Sequence, residues 1–349
     1  MKVKAVKHLC AWTHWGCSWM KVSIFDVAKK SGLSVVTVSR VINQAGTVRE
    51  KNRQKVLQAM KELDYRPNAA ARSLARGKTG IIGLAITTLH DSFMDAVVKE
   101  INERLAARGY FLALAISPEV FSSFEQSLFQ EDRVDGVILL SPVHEDAAVM
   151  ELKKNKLPFV LLDNQHIHSS VSSVIVDNYK GGYEATKHLI ELGHTEIAHV
   201  RGRELFLSST ERERGFVTAM QEAGLDPFWI EQGDFSITSG YQAASRWMQA
   251  GRRPSAVFAA DDLTAFGVID AYKNHGYQVP RDLSIVGFDD QIFSAEFRPM
   301  LTTVRQPAEQ MGKHAVDILL KRIDGESKRN ATVVLEPELI IRESTWSKD

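Results

Sequence analysis

The chain has 349 residues, with 43 Lys+Arg balanced by 43 Asp+Glu, and 44% of its residues are hydrophobic. This composition is typical of a soluble globular protein, and the length predicts two or three compact units. Since no run of about 18 apolar residues occurs, we expect no membrane-spanning segment and no membrane partner.

The two types of charge are unevenly distributed along the chain. Met20–Lys78 contain 13 Lys+Arg and 4 Asp+Glu, whereas the chain from Thr79 onward contains 27 basic and 39 acidic residues. A small basic segment joined to a larger acidic one predicts a polyanionic partner for the basic segment alone. A solvated helical surface would account for the same charge pattern.

Both cysteines, Cys10 and Cys17, lie in the first 19 residues, so no disulfide is expected in the rest of the chain. This agrees with a reducing, cytoplasmic location. Residues 1–19 contain neither a clean apolar run nor a small-residue cleavage site, so we do not expect a signal peptide. We treat them as an extension of unknown role.

Residues 23–63 show the pattern of three short helices. Ser23 and Ser34 are N-cap candidates for helices predicted at Ile24–Ser31 and Val35–Ile42, and Gly32 supplies the left-handed residue that ends the first helix. A third helix is predicted at about Glu50–Leu63. Two short helices joined through a glycine turn form a helix-turn-helix, although the pattern alone also fits an ordinary helical bundle.

From Ile81 onward, short apolar runs alternate with amphipathic helical segments. This alternation predicts parallel strands covered by helices on both faces, and roughly 270 residues of it indicate two α/β lobes rather than one sheet. Ligands bind at the carboxyl ends of such strands, so a cleft between the lobes is the expected site. The predicted strands are Ile81–Ile86, Phe111–Ile116, Gly136–Leu140, Phe159–Leu162, Ile197–Val200, Ala256–Ala259 and Ser284–Phe288.

The sequence contains no catalytic signature. It has no GxGxxG, P-loop, GxSxG or HExxH motif, and its 11 histidines form no cluster with metal-ligand spacing. We therefore expect no enzyme activity, no cofactor and no metal.

Several motifs together resemble the LacI-type (lactose/galactose repressor) family of bacterial transcription regulators. They are Asp26-Val27-Ala28, Gly32-Leu33-Ser34, Thr37–Asn43, Tyr65–Asn68, Val176-Asp177-Asn178, Ala260-Asp261-Asp262, Ile285–Asp290 and Thr302–Pro307. The resemblance covers essentially all of Val22–Ser344. It implies an all-α helix-turn-helix head and an α/β two-lobed core like that of the periplasmic binding proteins.

The resemblance also implies the domain boundaries. After the extension 1–19, the helix-turn-helix domain spans 20–66, and a hinge helix with its linker spans 67–79. The effector-binding and dimerisation domain spans 80–345. Its first lobe comprises about 80–177 and 307–334, its second about 178–306 and 335–345, and the chain crosses between them near Asp177, Gln306 and Leu335.

In this family, the helix that begins at Val35 enters the DNA major groove. Val35, Val36 and Arg40 match the base-reading positions: Arg40 can donate two hydrogen bonds to a guanine, while the valines can contact thymine methyl groups. Contacts to the DNA backbone are implied for Ser34, Thr37, Ser39, Asn43 and Thr47.

The hinge segment completes the implied DNA contacts, which are Tyr65, Asn68, Ala71 and Leu74. Leu74 would insert into the minor groove at the operator centre and kink the duplex. Considered alone, Leu74 is an apolar residue in an alanine-rich helix, for which packing is the simpler interpretation.

The resemblance also implies an effector site for a small molecule, with a sugar as the favoured class. Carboxylates and a guanidinium group can bind sugar hydroxyls, and an aromatic ring can stack on the apolar face of a pyranose. The implied residues are Phe93, Asp163, Ser208, Arg212, Phe235, Asp261 and Asp289.

The expected function is that of a repressor that binds a pseudo-palindromic double-stranded operator as a homodimer, with its affinity controlled by the effector. One alternative keeps this class with a nucleoside or a protein co-repressor as effector. A transport-type sugar-binding protein is disfavoured by the basic head. An α/β enzyme is disfavoured because no nucleophile-base set is present.

Overall fold

The computed structural model describes residues 22–43, 47–66, 77–89, 92–116, 133–166, 170–327 and 329–348. The chain divides into two compact units between Lys78 and Thr79. The extension 1–19 and the expected hinge contacts Asn68, Ala71 and Leu74 lie outside the described residues.

The first unit contains three helices, α1 (Ile24–Ser31), α2 (Val35–Ile42) and α3 (Glu50–Glu62). They pack around a small apolar core in which every side chain is at most 7% exposed. The core residues are Val27, Ala28, Val38, Val41, Val56 and Ala59.

Side-chain caps fix where the first two helices begin. Ser23 Oγ accepts a hydrogen bond from Asp26 N at 3.4 Å, and Ser23 N donates to Asp26 Oδ2 at 2.9 Å, which completes the expected capping box. Gly32 ends α1 with a φ of 68°. Ser34 Oγ accepts from Thr37 N at 3.2 Å and so caps α2. These contacts confirm the predicted bounds of the first two helices.

The second unit contains two six-stranded sheets. The first sheet has the order β11-β5-β4-β3-β1-β2 and is parallel throughout, and the second has the order β12-β10-β9-β8-β6-β7 with β12 antiparallel to β10. The strands are β1 (Ile81–Ile86), β2 (Phe111–Ile116), β3 (Gly136–Leu140), β4 (Phe159–Leu162), β5 (Ser173–Val176), β6 (Ile197–Arg201), β7 (Trp229–Gln232), β8 (Ala256–Ala259), β9 (Ser284–Asp289), β10 (Thr302–Arg305), β11 (Thr332–Leu335) and β12 (Glu338–Ile340).

Helices cover both faces of each sheet, as the parallel pattern predicted. We call each sheet with its helices a lobe, and the chain passes between the lobes after β5, β10 and β11. The helices of this unit are α4 (Ser92–Ala107), α5 (Glu145–Lys154), α6 (Asn178–Glu191), α7 (Leu207–Glu222), α8 (Ile237–Gln249), α9 (Asp262–Asn274) and α10 (Ala308–Ile323), with a 3₁₀ turn at Ile292–Ser294.

Alternate residues of the central strands enter separate cores on the two faces of their sheet. In β3, Ile138 and Leu140 pack with the side chains of α4 and α10, while Val137 and Leu139 pack with those of α5. Burial on both faces explains why these strands appear in the sequence as continuous apolar runs.

Close contact between α6 and α7 positions the start of α7. A Cβ added at Gly182 would clash with the backbone of Arg212, and one added at Gly215 would clash with that of Tyr179. The two glycines therefore let the helix backbones touch, and this fixes where the side chain of Arg212 can reach.

Candidate functional site

A cavity of about 890 Å³ opens between the two lobes, at the carboxyl ends of their strands. We call it the interlobe cavity. All seven residues expected to bind an effector line it: Phe93, Asp163, Ser208, Arg212, Phe235, Asp261 and Asp289. The remaining lining residues are Thr87, Thr88, Leu89, Met94, Ile116, Ser141, Val143, Arg203, Phe206, Asp234, Ser236, Ile237, Leu263 and Gln306.

Left-handed backbone conformations are concentrated around this cavity. Ser141, Asp163, Phe235 and Asp289 have φ values of 48°, 51°, 65° and 105°, and each lies at or just after the end of a strand. Non-glycine residues rarely adopt such angles, and their accumulation is typical of functional sites. Here the turns occur where the side chains reach the cavity.

Arg212 is held rigidly at the base of the cavity, with 4% of its surface exposed. Its Nε donates to Asn178 Oδ1 at 2.8 Å, its Nη1 donates to the Ala260 carbonyl at 2.6 Å, and its guanidinium lies 3.6 Å from the centroid of the Phe288 ring. The remaining nitrogen, Nη2, lies 3.6 Å from Asp289 Oδ1. These contacts fix the orientation of the Arg212 guanidinium.

Gln306, which was not predicted as a site residue, extends this network. Its Nε2 donates to Asp289 Oδ1 at 2.6 Å, which fixes the orientation of the amide. Its Oε1 is buried and accepts no hydrogen bond from the described residues. Its place directly after β10 was the signal that could have identified it.

Asp163 contributes a carboxyl group from the first lobe. Ser141 Oγ donates to its Oδ2 at 2.6 Å. Burial raises the pKa of the Asp163 carboxyl, although the Ser141 hydrogen bond and the Arg212 charge act in the opposite direction. The carboxyl can therefore exist in its neutral form at a higher pH than an exposed aspartate.

The two expected aromatic residues differ in their surroundings. Phe93 is 6% exposed and belongs to the core of the first lobe, so little of its ring is available for stacking. Phe235 is half-buried and lies against Gly202. Its ring meets the Phe206 ring edge-on, with 5.9 Å between the two ring centroids. Phe235 is therefore the better candidate for a stacking surface.

Asp261 and Asp262 are adjacent but have different environments. Asp261 Oδ1 accepts from Thr264 N at 2.9 Å and caps α9. Asp262 is fully buried away from the cavity, where its carboxylate accepts from Gln291 N at 2.7 Å and Thr303 Oγ1 at 2.5 Å. Burial raises the pKa of Asp262 to about 7.

On α2, Val36 and Arg40 lie one turn apart and are exposed, and Val36 is 62% exposed. Val35 is partly buried and packs against the head core, as does Tyr65. The side chains of Val36 and Arg40 are therefore more accessible than that of Val35 for contact with bases.

Several of the residues expected to contact phosphates already form hydrogen bonds within the head. The Ser34 hydroxyl lies 2.9 Å from Thr37 Oγ1, so the helix cap engages both side chains. Asn43 Nδ2 donates to Ser39 Oγ at 3.4 Å, and Thr47 is exposed.

Among the described residues, no helix combines the length and hydrophobicity that a membrane span requires. No group of three or more metal-ligating side chains is present in the same part of the chain.

Two family models match the chain. The model of bacterial regulatory proteins of the lacI family matches residues 23–68, and the model of the periplasmic binding protein-like domain matches residues 186–345. The first match covers all three helices of the head.

Relatives match nearly the full chain. The HTH-type transcriptional regulator DegA of Bacillus subtilis (strain 168) is 36% identical over 334 residues, which cover 93% of this chain and 98% of DegA. The HTH-type transcriptional repressor PurR of Mannheimia succiniciproducens is 34% identical over 328 residues, covering 92% and 98%. These relatives are regulators, in agreement with the prediction that the chain is not an enzyme.

Solved structures show the same architecture. A lac repressor dimer bound to operator and the anti-inducer ONPF has a TM-score of 0.84 and 30% identity, over 93% of this chain and 99% of that one. A complex of the transcriptional regulator CelR with cellobiose has a TM-score of 0.71 and 32% identity, with the same coverage.

Proposed function

The chain belongs to the LacI family of bacterial regulatory proteins and is a helix-turn-helix transcription regulator, and from this premise we propose how it acts. It represses transcription by binding a pseudo-palindromic operator as a homodimer, in the cytoplasm. A small sugar in the interlobe cavity controls its affinity for that operator.

The observation that carries the sugar assignment is the combination of fixed polar side chains and one half-buried aromatic ring around the interlobe cavity. Arg212, Asp261 and Asp289 line the cavity, and each is held by a hydrogen bond within the protein. Carboxylates and a guanidinium in fixed positions can bind the hydroxyl groups of a sugar. Phe235 supplies a ring for the apolar face of a pyranose.

The surroundings of Phe235 favour a sugar over a nucleoside. Phe206 contacts the Phe235 ring edge-on, with 5.9 Å between the ring centroids, and its side chain offers no hydrogen bond to the edge of a base. The cellobiose complex of a relative also supports the sugar assignment. A nucleoside effector remains the alternative that the experiment below tests.

Exposed apolar side chains support a homodimer. On β2, at the edge of the first sheet, Phe111 is 77% exposed and Leu114 is 40% exposed. In the second lobe, Ile292, Phe293 and Phe297 are 61%, 44% and 56% exposed. Patches of this kind on soluble proteins commonly mark protein interfaces, and two heads are needed to read a pseudo-palindrome.

The two activities are coupled through the lobes. A ligand that contacts both lobes changes the equilibrium between their arrangements, and this equilibrium biases operator affinity through the hinge segment. The coupling must be reciprocal, so the operator changes ligand affinity by the same factor. Leu74, as the minor-groove wedge, would transmit this change to the DNA.

The test is a ligand screen on the full-length protein by isothermal titration calorimetry. The panel contains cellobiose, glucose, ribose, adenosine and hypoxanthine. We expect one sugar to bind, and Asp289→Asn and Phe235→Ala to weaken its binding at least about tenfold, since each removes a polar or stacking contact. Binding of adenosine or hypoxanthine with no sugar bound would contradict the sugar assignment and leave the regulator class intact.

A further inference from the structure

The carboxylate of Asp135 holds the first residues of the second unit. Asp135 lies directly before β3, and Thr79 is the residue at which the second unit begins. Asp135 Oδ1 accepts hydrogen bonds from Thr79 N at 2.6 Å and Thr79 Oγ1 at 2.9 Å, and Asp135 Oδ2 accepts from Gly80 N at 2.8 Å. We call these three bonds the linker clamp, because Thr79 is the last residue of the linker that the sequence predicts.

The linker clamp depends on a carboxylate at position 135. Three donors converge on its two oxygen atoms, and hydrogen bonds to an ionised acceptor are stronger than those between neutral groups. An asparagine in its place would offer a single acceptor oxygen and would direct its own N–H groups toward the other donors. The amide would therefore lose at least one of the three bonds.

Backbone hydrogen bonds hold the same segment from two neighbouring strands. Phe111 N, at the start of β2, donates to the Gly80 carbonyl at 2.8 Å, and Asp135 N donates to the Ile81 carbonyl at 2.8 Å. Thr79 Oγ1 also accepts from Ile81 N at 3.1 Å. The segment is thus tied to the first lobe through side chain and backbone together.

The linker clamp lies at the opposite ends of β1 and β3 from the interlobe cavity. Thr87 and Thr88 follow β1, Ser141 follows β3, and all three line that cavity. The two strands are hydrogen-bonded neighbours in the first sheet. One pair of buried strands therefore connects the linker clamp with the expected effector site.

We propose that Asp135 is a positioning residue for operator binding. It acts through Thr79 and Gly80, by fixing the end of the linker to the first lobe, so that less conformational freedom is lost when the operator is bound. This role in operator binding rests on the function proposed above, whereas the linker clamp itself is a feature of the second unit alone.

Asp135→Asn tests this role through operator binding, measured by fluorescence anisotropy with DNA that the wild type selects from random sequences. We expect the affinity to fall about five- to thirtyfold, the cost of ordering one further residue on binding. The sign is informative, because the loss of a negative charge by itself strengthens binding to a polyanion. Since Asp135 cannot neutralise a phosphate, the salt dependence of the affinity should keep the slope of the wild type.

Glu326→Gln is the matched control for the change in charge. Glu326 is exposed and follows α10, whose Ile323 side chain would lie 2.9 Å from a Cβ added at Gly136, the residue after Asp135. The control thus removes a negative charge from the same end of the first lobe and leaves the linker clamp intact. If Asp135→Asn binds as tightly as Glu326→Gln, or changes the slope of the salt dependence, the proposal is overturned.

Thr79 tests the linker clamp from its other side without a change in charge. Thr79→Val removes the hydroxyl that donates to Asp135 and accepts from Ile81 N, whereas Thr79→Ser keeps it. We expect Thr79→Val to bind the operator about three- to tenfold more weakly than the wild type, and Thr79→Ser to bind like the wild type. Equal affinities of the two variants would contradict the proposal.

Hydrogen exchange followed by mass spectrometry separates the linker clamp from the proposed function. In Asp135→Asn, we expect the amides of Thr79 and Gly80 to exchange about tenfold faster, while those of β4 keep the rates of the wild type. Faster exchange throughout the first lobe would assign Asp135 a purely structural role and overturn the proposal, as would unchanged exchange at Thr79 and Gly80. Faster exchange confined to these two amides, in a protein whose wild type selects no DNA, would contradict the proposed function and leave the linker clamp in place.

Discussion

The Arg212 guanidinium and the Asp289 carboxylate face each other at 3.6 Å between Nη2 and Oδ1, and each side chain is only 5% exposed. Buried opposite charges of this kind are costly to separate, because the remaining charge is left without a partner. The pair thus links the stability of the second lobe to the chemistry of the interlobe cavity.

We expect Arg212→Met to lower the free energy of unfolding by about 3 kcal/mol, because it removes the cation that faces the buried Asp289 carboxylate and the donors to Asn178 and Ala260. Urea denaturation followed by circular dichroism measures this change. Arg214→Met is the matched control on the same helix, where an exposed ion pair contributes less than about 1 kcal/mol. Equal losses in the two variants would contradict a special role for Arg212.

Gly202 is required by the position of the Phe235 ring. A Cβ added at Gly202 would overlap that ring, so Gly202→Ala should lower the free energy of unfolding by about 1–3 kcal/mol and weaken effector binding. In the double variant with Phe235→Ala, the overlap disappears. A double-mutant cycle by urea denaturation should show a coupling above about 0.5 kcal/mol, and additive effects would mean that the two residues do not interact.

Ser23 and Ser34 allow stability and DNA binding to be separated in the head. Each caps a helix, so Ser23→Ala and Ser34→Ala should each cost about 1 kcal/mol of head stability. Ser34 starts the recognition helix and is an expected phosphate contact, so we expect a further loss of operator affinity in Ser34→Ala. Similar operator affinities for the two variants in an anisotropy titration would assign Ser34 a capping role alone.

We expect the buried carboxyl group of Asp262 to make the stability of the protein depend on pH. Its pKa is raised by burial to about 7, whereas the unfolded chain has the ordinary value of 3.8, so the folded state binds the extra proton between these values. The free energy of unfolding should therefore decrease as pH rises from about 4 to about 7 and then level off. In Asp262→Asn this part of the pH dependence should disappear, as measured by urea denaturation across that range. An unchanged slope would exclude Asp262 as its source.

Much of the fold could be predicted from the sequence because its signals are local. The helices Ile24–Ser31 and Val35–Ile42 begin at serine caps, and these features operate within four residues. The central strands could be identified because burial on both faces leaves continuous apolar runs. Five strands were not predicted, namely β5, β7, β10, β11 and β12. Of these, β7, β11 and β12 lie at sheet edges, where only part of each strand is buried, and β5 and β10 have only four residues each.

The site residues that could be predicted from the sequence are those that lie at or just after the end of a strand. Asp163, Asp261 and Asp289 lie at strand ends, and parallel strands end at the same edge of a sheet. Gln306 and the hydrogen bond that Leu207 N donates to Gln165 Oε1 were not predicted, because they depend on how the two lobes meet. That bond joins residues 42 positions apart, and no local pattern encodes such a contact.

The most direct test of the account is operator binding by fluorescence anisotropy, with DNA selected from random sequences by the purified protein. The account predicts tight binding whose affinity falls steeply with salt, because each neutralised phosphate releases counterions. Arg40→Ala should lose about 1–3 kcal/mol of discrimination at one base pair, and the sugar that binds the interlobe cavity should shift the operator affinity of the wild type. Failure to select any DNA sequence, or a selected operator whose affinity neither Arg40→Ala nor the bound sugar changes, would contradict it.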